Sequence, residues 1–402
     1  MSDIWFKSIK NKIHSWFTQP PSSESDEELM PIPDWLKEEL QQRINNSPSP
    51  QAYQTHLRGA ISPAIESWKT EFNAPNTFVC LAPTIEPVGK ILHDTLGDWD
   101  DISLKIITPF QDFERPATIR LTTKKIRQAL DSYPDIKNTD LDDLHVSSAE
   151  DFQDFRKTVV VIPSLEQCFL RCISGWDSIE YFREIITKNS HYFWVIGASQ
   201  AAWNFLDFVC QISAYFEIIE SLPELDDEMI CDWLTPIAET LISLDEPDSS
   251  SNDLRQTYWD SIAHQSSGSS RIAQYIWLES LRMHKQTEEE VQELRTQLSE
   301  TPAKSPSRVL IHPDKPKLPK LPILTNLDRY LLHGILIHGT INRRHLAQTL
   351  GESESQIQAR IQWLSRQGVL ESRCGSLSIH PLYYDQLTVD LSQNNFFINS
   401  NS

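Results

Sequence analysis

Gly89 and Lys90 are the residues of this 402-residue chain whose types and spacing come closest to a chemical site. They follow an apolar run at residues 78–82, which predicts a short buried strand. They precede residues 91–96, which have the pattern of a helix. Backbone amides and a lysine at the junction of a strand and a helix can bind phosphate groups. The chemistry predicted for this stretch is therefore the binding of a nucleotide phosphate.

The match to the phosphate-binding pattern G-x-x-x-x-G-K-[ST] is only partial. In the octet at residues 84–91, Thr84 replaces the first glycine, and Ile91 replaces the hydroxyl residue that would bind Mg²⁺. Pro87 has no amide hydrogen to donate, and Glu86 brings a negative charge towards the place where phosphates would lie. We therefore predict no resident cofactor and no catalytic residue. Weak, magnesium-independent binding of ATP is the alternative.

The flanking sequence predicts a parallel β-sheet that would position this loop. Residues 157–162 contain four consecutive β-branched aliphatic side chains, as buried parallel strands do. Further strands are predicted at residues 102–107, 191–197 and 215–219. Helical segments alternate with these strands, which predicts an α/β core with helices on both faces of the sheet.

Residues 324–388 predict a compact α+β unit near the end of the chain. Three helical patterns precede an alternating apolar pattern with a turn at Gly375, which is the order of a winged helix. Ile357, Ile361 and Leu364 form the predicted core side of the third helix. Positive and negative charges nearly balance in this unit, which favours a protein partner over DNA. Contact with either kind of partner is predicted for four arginines: Arg343, Arg344, Arg360 and Arg366.

Residues 1–17 have the pattern of an amphipathic helix. At about 100° per residue, the apolar side chains fall within one arc of roughly 120°, and the lysines lie outside it. One interpretation is a helix that lies at a membrane surface, and the other is a helix that docks on its own domain or on a partner. The apolar side chains are Trp5, Phe6, Ile9, Ile13, Trp16 and Phe17.

The formal net charge of −20 at pH 7 argues against a protein that coats nucleic acid non-specifically. The six cysteines form no CxxC pair and no zinc spacing, so we interpret them as free thiols and predict no metal site. No apolar run reaches the roughly 18 residues of a membrane span. We expect a cytoplasmic protein, with attachment to the inner face of a membrane through residues 1–17 as the alternative.

Four further stretches follow the phosphate-loop-like octet in a fixed order. VVVIPSLEQ has four aliphatics before a polar turn, and HYFWVIGASQ is a strand that runs into a helix. FEIIESLPELDDEMICDWL and SSGSSRIAQYIWLESL follow later in the chain. With these stretches, residues 75–285 resemble the AAA+ ATPases, in the branch shared by origin-recognition-type initiators and STAND-like signalling ATPases. Those initiators also carry a winged helix.

The resemblance implies roles for particular positions, most of them degenerate. Pro163 stands in place of the magnesium-binding aspartate of the Walker B segment, with Glu166 a few residues late. Ser199 or Gln200 stands at the sensor 1 position, and Arg271 at the sensor 2 position. Lysines at helix starts and arginines in surface pairs are also common without any ligand. A bound nucleotide would be contacted by Thr84, Gly89, Lys90, Ile91 and Arg271.

The predicted fold class is a P-loop NTPase-like parallel sheet core with a helical lid, followed by an α+β winged-helix domain. The predicted segments are an amphipathic helix at 1–18, an acidic linker at 19–32, a helical segment at 33–74, a degenerate AAA+ core at 75–222, a helical lid and charged helix at 223–300, a proline-rich linker at 301–323, the winged helix at 324–388 and a tail at 389–402.

The function predicted from these features is that of a non-catalytic regulatory or scaffolding protein. It would act through protein–protein contacts, with a homo-oligomer among the arrangements considered. One alternative is an ATP-binding switch or weak ATPase that uses Lys90 and Arg271. The other is a DNA-binding regulator that uses the winged helix.

Overall fold

The structure, a computed structural model, describes residues 29–97, 99, 104–111, 113–133, 156–238, 252–284, 311–313 and 317–396. The chain divides into two compact units, of which one comprises Met1–Gln51 with Glu224–Pro319 and the other Ala52–Pro223 with Lys320–Ser402. The predicted amphipathic helix at residues 1–18 lies outside the described residues.

The strands of the described residues are β1 (Leu29–Pro31), β2 (Thr77–Ala82), β3 (Lys105–Ile107), β4 (Thr158–Ile162), β5 (Tyr192–Ser199), β6 (Ile219–Ser221), β7 (Leu281–His284), β8 (Ile311–Pro313), β9 (Ile341–Asn342), β10 (Leu370–Arg373) and β11 (Ser376–Ile379). The helices are α1 (Asp34–Asn46), α2 (Gln51–Thr70), α3 (Val88–Gly97), α4 (Thr122–Asp131), α5 (Asp177–Lys188), α6 (Gln200–Cys210), α7 (Asp227–Ala238), α8 (Asn252–Gln265), α9 (Ser270–Ser280), α10 (Asn326–His338), α11 (Arg343–Leu350), α12 (Glu354–Arg366) and α13 (Tyr384–Gln393).

The core of the second unit is a five-stranded parallel sheet in the order β3-β4-β5-β2-β6. β2 and β5 are buried along their whole length. On one face, Val160 and Trp194 belong to an apolar cluster with Ile126 of α4. On the other face, the ring of Phe193 lies 5.5 Å from that of Trp68 in α2. The predicted parallel sheet with helices on both faces is confirmed.

The C-terminal part of the second unit has the predicted winged-helix order. α10, α11 and α12 precede a hairpin in which β10 pairs with β11, and β11 also pairs with β9. The hairpin turns at Cys374 and Gly375, whose φ angles of 49° and 83° suit glycine better than other residues. Ile357, Ile361 and Leu364 are buried, as predicted. The fold class predicted from the sequence, an α/β core followed by a winged helix, is confirmed.

Two predicted boundaries in this unit differ from the structure. The sequence predicts a strand at residues 215–219, whereas Ile212–Tyr215 form a 3₁₀ turn and β6 covers Ile219–Ser221. Gln211 has a φ of 52°, which ends α6 and turns the chain before the strand begins. Near the C-terminus, α13 runs through residue 393, into the predicted tail, because Leu387 and Leu391 are buried one helical turn apart.

The first unit packs helices α1, α7, α8 and α9 beside a three-stranded antiparallel sheet in the order β1-β7-β8. The sequence predicts a helix over residues 270–284, but α9 ends at Ser280 and β7 follows. Leu281 and Met283 are buried on either side of a half-buried Arg282, and this period of two favours a strand. β1 lies within the residues predicted as an acidic linker.

None of the helices in the described part of the chain is long and apolar enough to cross a membrane. Within the same residues, no three side chains of His, Cys, Asp or Glu are grouped in a way that could hold a metal ion.

Candidate functional site

Pro163 occupies the position after β4 where the resemblance places a metal-binding aspartate. A Cβ atom added to Gly89 would lie 3.0 Å from the Cβ atom of Pro163, so α3 begins directly against this ring. A Cβ atom on Gly197 of β5 would lie only 2.6 Å from the Pro163 carbonyl oxygen. Ile91, at the hydroxyl position, is fully buried. Neither position therefore carries a carboxylate or hydroxyl group that could bind Mg²⁺.

Backbone amides of the loop between β2 and α3 donate hydrogen bonds to carbonyl oxygens of the same loop. The N–H of Glu86 donates to the carbonyl oxygen of Pro83 at 2.9 Å, and the N–H of Val88 donates to that of Glu86 at 2.9 Å. Pro87 has no amide hydrogen. The side chain of Glu86 is itself buried within this loop. The loop therefore offers few donors to a phosphate group, and it places a carboxyl group beside them.

The winged helix packs directly on this loop. The hydroxyl of Thr84 donates to the carbonyl oxygen of Leu336 in α10 at 3.0 Å, and its N–H donates to the hydroxyl of Tyr384 at 3.4 Å. Burial raises the pKa of Tyr384, and the carboxyl groups of Asp385 and Glu86 add to the rise. The residue that stands in place of the first glycine thus joins the core to the winged helix.

The structure brings the predicted Walker B and sensor 1 residues together. Their polar groups form hydrogen bonds with each other and with neighbouring residues of the chain. Glu166 is buried, and one carboxylate oxygen accepts from the hydroxyl of Ser164 at 2.8 Å. The other accepts the backbone N–H of Ser199. The hydroxyl of Ser199 caps the N-terminus of α6, and Gln200 donates to Asn204 at 2.7 Å on the surface of that helix. Glu166 therefore fixes the end of β5 to the turn after β4.

Lys90 and Arg271 lie in different units. Lys90 is half-buried in the first turn of α3. Arg271, in α9, donates from Nη1 to Asn45 at 2.7 Å and to Gln274 at 3.1 Å, and its guanidinium lies 5.5 Å from the ring centre of Tyr275. These contacts account for the position of Arg271 within its own unit.

Three of the four winged-helix arginines are exposed, and one is not. Arg343 and Arg344 begin α11 and Arg366 ends α12. Arg360 binds the buried carboxylate of Asp328 through two hydrogen bonds of 2.7 and 2.5 Å. Burial acts to raise the pKa of Asp328, but the hydrogen bonds from Arg360 and Thr325 and the charge of Arg360 together outweigh it, so the pKa is lowered. Arg360 therefore has a structural role in holding α12 to α10.

Three histidines lie where the winged helix meets the core. Nε2 of His338 accepts the backbone N–H of Arg171 at 3.2 Å, and Nδ1 of His333 accepts from the Arg171 guanidinium at 3.0 Å. Nε2 of His345 donates to the carbonyl oxygen of Pro116 at 3.1 Å, since a carbonyl oxygen can only accept. The winged helix is thus held by imidazole contacts as well as by apolar packing.

All three imidazoles are held neutral. Burial lowers the pKa of His333 to about 4, and the charge of Arg171 adds to this effect. Burial, followed by the charge of Arg115, lowers the pKa of His338 and of His345, in the case of His338 well below its usual value. Protonation of these rings therefore opposes the docked arrangement.

Arg115 is a residue that the sequence analysis did not single out. It is 8% exposed, and it donates from Nε to the carbonyl oxygen of Phe169 at 2.7 Å and from Nη2 to that of Glu166 at 2.5 Å. It lines a cavity beside the start of α3, together with Lys90 and His93. A single arginine between a glutamate and a proline carries no periodic or motif signal, so only the folded chain reveals its position.

No protein-family model matches this chain, and no curated protein does. Among solved structures, the chain is similar to Thermotoga maritima RuvB, described as a Holliday junction branch migration motor, at 14% identity over 83% of this chain and 94% of RuvB, with a TM-score of 0.34. It is also similar to Cdc6p of Pyrobaculum aerophilum, at 13% identity over 85% and 94% of the two chains, with a TM-score of 0.32.

A third similar structure is the ORC2 protein of Aeropyrum pernix in ADPNP and ADP complexes, at 11% identity over 95% and 96% of the two chains, with a TM-score of 0.32. At these values the similarities carry no argument about the activity of this chain. The strand order and the C-terminal hairpin define its fold: an α/β core on a five-stranded parallel sheet, followed by a winged helix.

Proposed function

We propose that this chain is a regulatory or scaffolding protein without ATPase activity, which acts through contacts with other proteins. The observation that supports this most is the loop between β2 and α3. Its amides donate to its own carbonyl oxygens, and Thr84 binds Leu336 of the winged helix. Phosphoryl transfer depends on positioning and on charge neutralisation by a metal ion, and the two positions for metal ligands hold Pro163 and Ile91.

Exposed apolar side chains support a role in protein contacts. Ile173 is 93% exposed and Phe208 is 68% exposed, both in the second unit. Phe208 also lines a second cavity, of about 380 Å³, whose walls include Trp176 and Phe205. Large exposed apolar groups of this kind are characteristic of interaction surfaces. The partner in this proposal is a protein, and a second copy of the chain would satisfy it.

ATP turnover tests the proposal directly. Hydrolysis would be measured with and without Mg²⁺ for the full chain and for Lys90→Ala, and ATP binding by calorimetry on the same samples. We expect no magnesium-dependent hydrolysis above background and no difference between the two proteins. Turnover that Lys90→Ala abolishes would contradict the proposal and support the ATP-binding switch instead.

DNA binding by the winged helix is the weaker candidate. Arg343, Arg344 and Arg366 are exposed, but Arg360 is bound to Asp328. With few cations available to neutralise phosphates, binding to random duplex should be weak and should fall steeply with salt. A sub-micromolar dissociation constant in about 150 mM salt would overturn this expectation.

A further inference from the structure

A cavity of about 1100 Å³ lies in the second unit, between the start of α3, the ends of β3 and β4, and the turn of the β10–β11 hairpin. This is slightly above the roughly 300–1000 Å³ common for small-molecule sites. Its lining includes the apolar residues Ile106, Phe110, Phe113 and Val161. The lining also includes the polar residues Gln167 and Asn342. A ligand with one apolar and one polar end therefore matches its walls.

Arg115 supplies the strongest polar group in this cavity. Its Nε and Nη2 atoms are occupied by the carbonyl oxygens of Phe169 and Glu166. Among the described residues, Nη1 has no hydrogen-bond partner, yet it is not sealed from solvent. Because Arg115 lines the cavity and is otherwise buried, Nη1 is the atom that remains available to a ligand.

The charge of Arg115 is only partly balanced, because the carboxyl group of Glu166 favours the charged form without forming an ion pair with it. Its two hydrogen-bond acceptors are neutral carbonyl oxygens, and no carboxylate lies within ion-pair distance in the part of the chain that the structure describes. Burial lowers the pKa of Arg115 to about 10, so the guanidinium is still protonated at pH 7. A buried cation without a directly paired counter-ion is costly, and an anion bound in the cavity would offset that cost.

Other groups around the cavity also favour an anion. Lys90 lies in the first turn of α3, whose N-terminus adds a partial positive charge. Glu114, exposed at the surface, is the acidic residue of this lining. The balance of charge in the wall is therefore positive, in a chain whose net charge is −20.

We propose that this cavity binds a small organic anion, with its oxyanion on Arg115 and Lys90 and its apolar body against Phe110 and Phe113. The site shares Lys90 with the phosphate-loop-like motif, but its main groups, Phe110, Phe113 and Arg115, follow β3. It goes beyond the proposed function, which needs no ligand. A carboxylate and a phosphate both satisfy the proposal, since each presents an anionic oxygen that can accept a charge-assisted hydrogen bond from Nη1 of Arg115.

The test is a fluorescence titration of the full chain with 8-anilinonaphthalene-1-sulfonate, which joins an anionic group to an aromatic body. We expect saturable binding that 2-naphthoate or 2-naphthyl phosphate displaces. The competitor that acts at the lower concentration identifies the ligand as a carboxylate or a phosphate. If neither displaces the dye, the proposal is wrong.

Variants separate this site from general dye binding. Arg115→Gln should weaken binding about tenfold or more, because it removes charge-assisted hydrogen bonds, and Lys90→Gln and Phe113→Ser should each weaken it severalfold. Lys69→Gln, on α2, is the matched charge control and should have no effect. Phe208→Ser, at the smaller apolar cavity, is the matched aromatic control and should also have no effect.

The outcome remains decisive if Arg115→Gln does not fold. Lys90 and Phe113 are only half-buried, so their variants are expected to keep the native melting temperature. Unchanged affinity in both of these variants would overturn the proposal. So would a loss of dye binding in Phe208→Ser, because the dye would then occupy the other cavity.

Discussion

Two regions at the same edge of the central sheet differ in how well the sequence predicts them and in how open they are to a ligand. The loop between β2 and α3 carries the clearest motif, yet its amides are occupied and the winged helix packs on it. The cavity beyond β3 and β4 is open, and its buried cation, Arg115, belongs to no motif. The comparison teaches that a motif locates a segment of backbone, whereas its availability to a ligand depends on what packs against it.

Lowering the pH should weaken both regions by releasing the winged helix, and we expect this to be the largest effect. The pKa values of His333, His338 and His345 are lowered in the folded protein. Their stabilising contribution is therefore full above the unfolded pKa of about 6.5 and is lost as the pH falls towards the folded value, which is about 4 for His333. Each histidine can contribute up to about 1.4 kcal/mol per pH unit in that window.

Chemical denaturation between pH 7.5 and pH 4.5 measures this effect. His333→Gln should flatten the fall in unfolding free energy. His56→Gln, at a half-exposed position on α2, is the matched control and should leave the slope unchanged. An identical slope for wild type and His333→Gln would contradict the assignment of the pH dependence to this interface.

Gly197→Ala should be the next largest change, and it tests how tightly the loop region is closed. The added methyl would lie 2.6 Å from the Pro163 carbonyl oxygen and 3.0 Å from Leu92, so backbone has to move. Overpacking of this kind costs about 1–3 kcal/mol. The matched control is Gly59→Ala in α2, where nothing lies within 4 Å and the change should be neutral or stabilising. Equal melting temperatures for the two variants would show that β4 and β5 can accommodate the methyl group, and that they pack less tightly there than these distances indicate.

Thr84→Val should have a smaller effect on the same closed region. It removes the hydrogen bond from Thr84 to the carbonyl oxygen of Leu336, at a cost of about 1 kcal/mol in unfolding free energy. Thr187→Val removes a comparable bond to Arg183 on the exposed face of α5 and should cost less. If Thr84→Val is as stable as Thr187→Val, the contact does not hold the winged helix to the loop.

Thiol labelling should separate the regions with no change in stability. Cys374 is exposed at the turn that borders the cavity, whereas Cys80 is fully buried in β2. Burial, with a smaller effect of Glu220, raises the pKa of Cys80 to about 12, so its reactive thiolate is scarce. A disulfide reagent at pH 8 should modify Cys374 rapidly and Cys80 only on unfolding, with Cys374→Ser removing the fast phase. A fast phase that survives in Cys374→Ser would contradict this order.

The secondary structure was predicted best where many residues repeat one pattern. The aliphatic runs of β2, β4 and β5 fall in the predicted strands, because burial on both faces of a sheet demands continuous apolar sequence. The prediction failed at β7, where two buried side chains, Leu281 and Met283, are too few to reveal a period of two. It also missed the 3₁₀ turn at Ile212–Tyr215, which follows from a single left-handed residue, Gln211.

The candidate site was predicted only in part, for a related reason. The sequence identified Pro163 and Ile91 as unable to bind magnesium, because that conclusion depends on residue type alone. It placed Arg360 among the contacts for a partner, whereas Arg360 binds the carboxylate of Asp328, 32 residues away. It gave no sign of Arg115, whose environment is made by Phe169 and Glu166 more than fifty residues further along the chain.

The sequence by itself determined the class of fold, because the local spacing of apolar residues predicts strands and helices. It also determined which metal ligands are absent, since a proline or an isoleucine cannot coordinate a cation. Only the tertiary structure decided that Thr84 binds the winged helix and that Arg115 faces a cavity. Such contacts join residues far apart in the chain, and their energies depend on distance and burial, which no local pattern encodes.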